Sequence, residues 1–135
     1  MTRIYTDAAV SGNPGFAGVG ILVLDNKEQK QIAFPLKGNH WNNHQAEFKA
    51  VSLGLSWLIE HEKTESMLFC YTDSQIVAQA VEKKYVKDKN FQKYLKEILH
   101  LMEHFSYASI TWLPEAENRG ADNLAKQALQ EALNN

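Results

Sequence analysis

The sequence has little cysteine and lacks long apolar stretches. Its 135 residues include one cysteine, Cys70, which excludes both a disulfide within the chain and a thiolate-based zinc site. No apolar run approaches the roughly 18 residues of a membrane-spanning helix. Arg3 and Asp7 also interrupt the N-terminal segment, which would be continuously apolar in a signal peptide. We therefore expect a cytoplasmic protein with no membrane partner.

The chain also lacks the excess of positive charge that is typical of nucleic-acid-binding proteins. Its 14 basic and 16 acidic residues give a formal net charge of −2. The lysines are nevertheless concentrated in one segment, EKKYVKDKNFQKYLK, at residues 82–96. A charge run of this kind usually forms a solvated helix face, so by itself it assigns no partner.

Apolar periodicity and turn residues predict one compact α/β domain over residues 1–135. The predicted order is three strands, a helix, a strand, two helices, a strand and a helix. The strands are predicted at residues 3–8, 18–25, 29–37, 66–73 and 107–113, and the helices at 43–61, from 74, at 91–105 and at 121–133. Asn26 to Glu28 form a polar connection, and Pro35 indicates an edge strand. Three antiparallel strands followed by helix-linked parallel strands predict a mixed sheet flanked by helices.

Four acidic residues stand near the ends of these predicted elements. The tripeptide Tyr-Thr-Asp occurs twice, ending in Asp7 and in Asp73. If the two strands are parallel neighbours, both acids lie at the carboxyl edge of the sheet, where α/β proteins bind ligands. Glu47 heads the apolar stripe of the first helix, and Asp122 lies in the first turn of the last helix. Each acid has a simpler explanation alone, such as helix capping by Asp73, but four together favour a shared site.

Clustered carboxylates without a cysteine or histidine partner favour hard cations such as Mg²⁺ or Mn²⁺. Carboxylates that bridge two such ions about 4 Å apart can support an in-line phosphoryl displacement by water. The acids therefore predict phosphodiester hydrolysis.

Four segments carry a resemblance to a known family: YTDAAVSGNPGFAGVG, NHQAEFKAVSLGL, YTDSQIV and ENRGADNLAKQA. In this order, and over essentially the whole chain, they resemble the ribonuclease H type 1 family. The resemblance implies a ribonuclease H-like fold, a five-stranded mixed sheet of three antiparallel and two parallel strands flanked by helices. It also implies a metal-dependent endoribonuclease that cuts the RNA strand of RNA:DNA hybrids.

The resemblance also implies roles for individual residues. Asp7 would bridge two Mg²⁺ or Mn²⁺ ions, Glu47 and Asp73 would complete one metal site, and Asp122 would complete the other. The side-chain amides of Asn13, Asn43 and Gln75 match positions that contact the minor groove of the hybrid, which is wide and shallow in an A-like duplex. We expect an RNA:DNA hybrid as the partner, double-stranded RNA as a second candidate, and a monomer.

The chain departs from the best-studied branch of this family in two respects. The segment LPEAENRGAD lacks that branch's loop histidine, so Glu115 or Glu117 is a candidate for proton transfer or for loosening the departing metal. Asn118 matches a family asparagine, for which helix capping is the simpler role. The basic protrusion of that branch is reduced here to Lys83 to Lys96, which implies fewer phosphate contacts.

Two other functions remain in view. These departures leave open a catalytically weak or inactive module that only binds nucleic acid. The segment HLMEH, residues 100–104, fits a zinc-peptidase pattern. Helical spacing predicts that His100 faces away from the apolar side of its helix, so a solvated histidine pair explains this segment better.

Overall fold

In a computed structural model of the protein, residues 1–26 and 28–135 are described, and they form a five-stranded sheet with helices on both faces. The strands are β1 (Thr2–Gly12), β2 (Gly15–Asp25), β3 (Glu28–Pro35), β4 (Leu68–Thr72) and β5 (Ala108–Trp112). The helices are α1 (Asn43–Glu60), α2 (Gln75–Lys83), α3 (Lys89–Met102) and α4 (Arg119–Asn134), and a 3₁₀ turn, Glu115–Glu117, precedes α4. Lys27, within the predicted polar connection, lies outside the described residues.

The strand order in the sheet is β3-β2-β1-β4-β5. β1 pairs antiparallel with β2, and β2 pairs antiparallel with β3. β4 is parallel to β1, and β5 is parallel to β4. The predicted mixed sheet of three antiparallel and two parallel strands is therefore confirmed. The third strand, which ends at Pro35, lies at an edge of the sheet as predicted.

β1 is longer than the predicted strand, which covered Arg3 to Ala8. Its pairing with β2 continues to the pair Gly12–Gly15, where the chain turns back through Asn13 and Pro14. The segment Ala8 to Gly12 has no strong apolar alternation, so its strand conformation follows from pairing with β2 rather than from its own pattern. The carboxylate of Asp7 consequently belongs to the middle of a strand.

α1 and α4 pack on opposite faces of the sheet. Gly54 of α1 faces Ile4, Thr6 and Ile21, and the buried stripe of α1 includes Val51, Leu55 and Leu58. α4 packs closely against Gly18 and Gly20 of β2, where an added Cβ would meet the backbone of α4 on the other face of the sheet. α3 packs beside α1. Phe105, predicted within the helix of residues 91–105, is buried but follows the end of α3 at Met102.

No helix in the described ranges, residues 1–26 and 28–135, combines the length and apolarity that crossing a bilayer requires.

Candidate metal centre

Asp7 and Asp73 lie next to each other because their strands are parallel neighbours. The pairing of β1 with β4 ends at Thr6 and Thr72, and the two acids are the residues that follow. The predicted parallel arrangement is thus confirmed. β4 ends there because the chain enters α2, whose N-cap is Ser74: its Oγ accepts a hydrogen bond from the Val77 backbone N–H at 3.2 Å. Helix capping by Asp73, the simpler explanation of this acid, is therefore wrong.

Glu47 reaches the same place from the start of α1. A capping box fixes this helix end: the Asn42 side chain accepts from the Gln45 backbone N–H at 2.8 Å, and Gln45 Oε1 accepts from the Asn42 backbone N–H at 3.2 Å. Glu47 lies one turn into the helix, at the head of its buried stripe. One carboxylate oxygen from each of Asp7, Glu47 and Asp73 lies within 4.8 Å of the others. The three acids can therefore share one cation.

The carboxyl group of Asp7 is held in an environment that disfavours its charge. Its residue is only 7% exposed. Burial, and then repulsion from Asp73, raise the pKa of Asp7 to about 8, although a backbone hydrogen bond from Ala8 opposes the shift. A cation bound among these acids would reverse this balance by favouring the charged form.

Burial also raises the pKa of the two partner acids. For Glu47, a hydrogen bond from the Ser74 side chain opposes the shift, while repulsion from Asp73 adds to it. For Asp73, the Asn118 side chain lowers the pKa by hydrogen bonding, and the nearby Glu115 raises it. Burial is the largest cause of the raised pKa for all three acids, and repulsion among the acids adds to it.

Asn118 holds the acids in place. Its Nδ2 donates to the backbone carbonyl of Thr6 at 2.9 Å and to Oδ2 of Asp73 at 3.2 Å. The residue is 1% exposed and makes no side-chain cap on α4. Asn118 therefore occupies the N-cap position of α4, as the simpler role required, but its side chain does not cap the helix, because its amide joins β1 to the residue after β4.

Asp122 lies in the first turn of α4, as predicted, but outside the group formed by Asp7, Glu47 and Asp73. Its charge still adds to the upward shift of the Asp7 pKa, which places it near the group. Its Oδ2 accepts a hydrogen bond from Lys126 Nζ at 2.9 Å, one helical turn further on. The fourth acid thus acts on the charges of Asp7 and Asp73 and is paired with a lysine.

The three candidate substrate amides are all exposed. Gln75 lines an open pocket of about 470 Å³ together with Glu47 and Asp73. Asn13 lies in the β1–β2 turn, and Asn43 is the first residue of α1. An isolated β-bridge between Gly15 and Trp41 brings that turn close to the start of α1. The structure thus brings Asn13 and Asn43 to one surface and Gln75 to the pocket.

The two candidate loop glutamates differ in position. Glu115 lines the pocket of about 470 Å³, and its charge raises the pKa of both Asp73 and Glu47. Glu117, at the end of the 3₁₀ turn, is exposed and does not line that pocket. Glu115 is therefore the one of the pair that faces the carboxylates.

Three residues of this region were not predicted from the sequence: Ser74, Lys126 and Trp112. A serine before a helix and a lysine four residues after an aspartate are both recognisable sequence signals, for a cap and for an ion pair respectively. Trp112 had no such signal. Its indole Nε1 donates to the backbone carbonyl of Asp73 at 3.1 Å, and the indole lines the same pocket.

The histidines of HLMEH form no comparable site in the described residues. His100 Nδ1 lies 3.6 Å from Glu103, with both side chains more than 70% exposed, and these residues are absent from the one group of potential metal ligands found there. The expectation that His100 faces away from the core is confirmed.

A family model described as "Reverse transcriptase-like" matches residues 5–128. The "Putative hydrolase EbsB" of Enterococcus faecalis is 43% identical over 130 residues, which cover 96% of this chain and 95% of that protein. The "Ribonuclease H" of Trichodesmium erythraeum is 38% identical over 84 residues, which cover 62% of this chain and 50% of that enzyme. Sequence similarity thus extends over nearly the whole chain.

Structural similarity agrees with these matches. The RNase H1 of the halophilic archaeon Halobacterium salinarum superposes with a TM-score of 0.87 at 27% identity, covering 97% of this chain and 98% of that one. The three-plus-two sheet, the clustered acids and the family match over residues 5–128 therefore point the same way, and the chain belongs to the ribonuclease H-like family.

Proposed function

We propose that this protein is a ribonuclease H, a metal-dependent endoribonuclease that hydrolyses the RNA strand of RNA:DNA hybrids. The observation that carries the proposal is the convergence of Asp7, Glu47 and Asp73, with one oxygen of each within 4.8 Å of the others. The point where the parallel pairing of β1 with β4 ends, together with the first turns of α1, produces it. Relatives named Ribonuclease H share more than a third of the aligned residues and support the same activity.

The donor set fits hard divalent cations. It consists of carboxylates alone, and burial with mutual repulsion raises the pKa of Asp7 to about 8, so a cation at this place relieves an electrostatic cost. Asp7, Glu47 and Asp73 would hold one Mg²⁺ or Mn²⁺ ion, and Asp7 with Asp122 would hold a second. Bound ions supply an activated water and stabilise the leaving oxygen of phosphodiester hydrolysis.

The chain's own residues orient this chemistry. Asn118 fixes the carboxylate of Asp73 relative to the Thr6 carbonyl, and the Ser74 side chain lowers the pKa of Glu47. The carboxylate of Asp73 therefore keeps its direction without help from a ligand. Asn13, Asn43 and Gln75 present amides that donate and accept, which suits reading of 2′-hydroxyls and base edges in the minor groove.

Glu115 is the candidate for the auxiliary role of the absent loop histidine. It lines the carboxylate pocket, where it can exchange a proton with the departing product or weaken metal binding after cleavage. A comparison of Glu115→Gln with Glu117→Gln tests this role. A lower turnover number with Glu115→Gln alone is expected, whereas equal effects would contradict it.

The remaining parts of the proposal concern the whole protein. Double-stranded RNA is proposed as a second, weaker substrate. Residues 1–135 are proposed to act as one domain, as a monomer and in the cytoplasm.

The decisive experiment measures cleavage of an end-labelled RNA:DNA hybrid at low salt with Mg²⁺ or Mn²⁺, beside matched DNA and RNA duplexes. We expect cutting of the RNA strand that needs metal and leaves 5′-phosphate and 3′-hydroxyl ends. Asp7→Asn is expected to lower the rate by a factor of at least about 100, while the exposed Glu131→Gln, a matched neutralisation at the far end of α4, leaves it unchanged.

Three outcomes would overturn the proposal. Cleavage that is unaffected by Asp7→Asn would assign the activity to another site or to a contaminating nuclease. Products with 2′,3′-cyclic phosphates would require attack by the neighbouring 2′-hydroxyl instead of water. Binding of the hybrid without any cleavage would support the alternative, a module that binds nucleic acid without catalysis.

A further inference from the structure

Trp112 is an exposed aromatic residue that is hydrogen-bonded to the backbone of Asp73, one of the three clustered acids. It is the last residue of β5, and 42% of it is exposed. Its Nε1 donates to the backbone carbonyl of Asp73 at 3.1 Å. The hydrogen bond uses the only polar atom of the side chain and leaves the rest of the indole free to contact a ligand.

The indole stands between two open grooves. On one side is the pocket of about 470 Å³ that contains Glu47 and Asp73. On the other is a groove of about 390 Å³ between α2 and β5, which contains Gln79 and Glu82. Trp112 lines both, so an extended strand that leaves the carboxylates in this direction must cross it.

The chemistry of the second groove favours a sugar over a phosphate. Its described lining holds no lysine or arginine, and it includes the carboxylate of Glu82, which would repel a phosphate. Gln79 and Glu82 can instead accept hydrogen bonds from hydroxyl groups. In a duplex the bases are already stacked on one another, so the group that can meet the indole face is a ribose with its 2′-hydroxyl.

From this arrangement, and resting on the function proposed above, we infer that Trp112 is a substrate-binding residue that packs against the ribose of an RNA nucleotide beside the cleaved phosphodiester. The indole face supplies the apolar contact, and the bond from Nε1 to Asp73 sets the position of that face relative to the metal ligands. Trp112 thereby fixes which phosphodiester of the RNA strand lies over the acids.

The first test uses the intrinsic fluorescence of Trp112 without any turnover. In an Asp7→Asn background, adding the hybrid is expected to change the tryptophan emission, and the additional substitution Trp112→Phe is expected to remove that change. Trp57→Phe is the matched control, because Trp57 stacks on His61 near the end of α1, away from both grooves, with ring centroids 3.8 Å apart. A fluorescence change as large after Trp112→Phe as before it, or no change in the parent protein, would overturn the inference.

The second test separates binding from folding in the otherwise unsubstituted protein. Trp112→Ala is expected to raise KM about tenfold, an effect of the size that truncation of an aromatic contact residue in an interface produces. Trp112→Phe keeps an aromatic face and is expected to recover most of this loss. Equal KM values for Ala, Phe and the parent would contradict the inference. If the protein binds hybrid through Trp112 but never cleaves it, the proposed activity fails and the inference stands.

Discussion

Near neutral pH, and without a bound cation, the carboxyl group of Asp7 is protonated in the folded protein. Its pKa in the folded protein is raised to about 8, mainly by burial, whereas an unfolded chain gives it the ordinary value of 3.8. Between these pH values the folded state holds a proton that the unfolded state has released. The contribution of Asp7 to stability is therefore complete below about pH 4 and is lost as the pH rises toward 8.

Asp7→Asn should consequently stabilise the metal-free protein, and increasingly so at higher pH. At pH 7 we expect a gain in the free energy of unfolding of about 2 to 4 kcal/mol, and almost none at pH 4. Urea unfolding in EDTA at pH 4, 6 and 8 would measure the free energy of unfolding of the parent protein and of Asp7→Asn. A difference between them that does not change with pH would contradict the raised pKa. Mg²⁺ should stabilise the parent protein and not the variant.

Asn118 is a positioning residue whose removal should affect turnover more than substrate binding. Asn118→Ala deletes the bonds to Thr6 and to Asp73, so we expect kcat to fall by about 10- to 100-fold, as for a residue that orients a metal ligand, with KM within about threefold. The control is Asn123→Ala, which changes an exposed asparagine in the first turns of α4, the helix that follows Asn118. Asn118→Asp should be worse than Asn118→Ala near neutral pH, because it adds a charge beside Asp73. Similar losses for Asn118→Ala and Asn123→Ala would contradict this role.

At the scale of the elements, the position of Asp122 depends on how closely α4 approaches β2. A Cβ on Gly20 would lie 2.1 Å from the backbone oxygen of Ala121 and 2.5 Å from the backbone nitrogen of Ala125. These are backbone atoms of α4 that no rotamer change can move. The helix lies against the strand only because Gly20 has no side chain, and Asp122 follows Ala121 directly.

Gly20→Ala should therefore push α4 away from the sheet. We expect a loss of about 1 to 3 kcal/mol in the free energy of unfolding, the usual cost of overpacking, together with lower activity because Asp122 is displaced. Gly120→Ala is the matched control, since its Cβ would meet only the end of the Leu22 side chain at 3.0 Å. An alanine also favours the helix at that position, so stability should be unchanged or slightly higher. Equal destabilisation by both substitutions would contradict the close approach of α4 to β2.

The elements also show what the sequence could and could not predict. Asp7 and Asp73 were predictable because each follows a short β-forming run, and two parallel runs must end at the same edge. The role of Asn118 was not, because its partner carbonyl on Thr6 is 112 residues away and no local spacing reports it. The end of β1 was missed for a related reason: Ala8 to Gly12 are held by their partner strand, not by their own alternation.

For the whole molecule, the distribution of charge over the surface says more about the binding of a polyanion than the net charge does. The net charge is −2, yet Lys84, Lys89, Lys93 and Lys96 line one open groove of about 570 Å³ between the end of α2 and α3. The N-terminal part of α3 lies near the start of α1, because Phe91 contacts His44, which itself lines the carboxylate pocket. A polyanion bound at the acids can therefore extend onto the lysines.

Binding of the hybrid should depend on salt through these lysines. Each lysine that neutralises a phosphate contributes about 0.9 to the slope of log K against log salt concentration. Substituting both Lys84 and Lys93 by glutamine should thus weaken binding at low salt and reduce the slope by about 1 to 2. Lys30→Gln, an exposed position on the edge strand β3 at the far side of the sheet, should leave the slope unchanged. Titrations of Asp7→Asn with labelled hybrid at several KCl concentrations would measure it. An unaltered slope in the double variant would mean that the hybrid runs past α3 without contacting it, and that the amides and Trp112 alone hold the substrate over the acids.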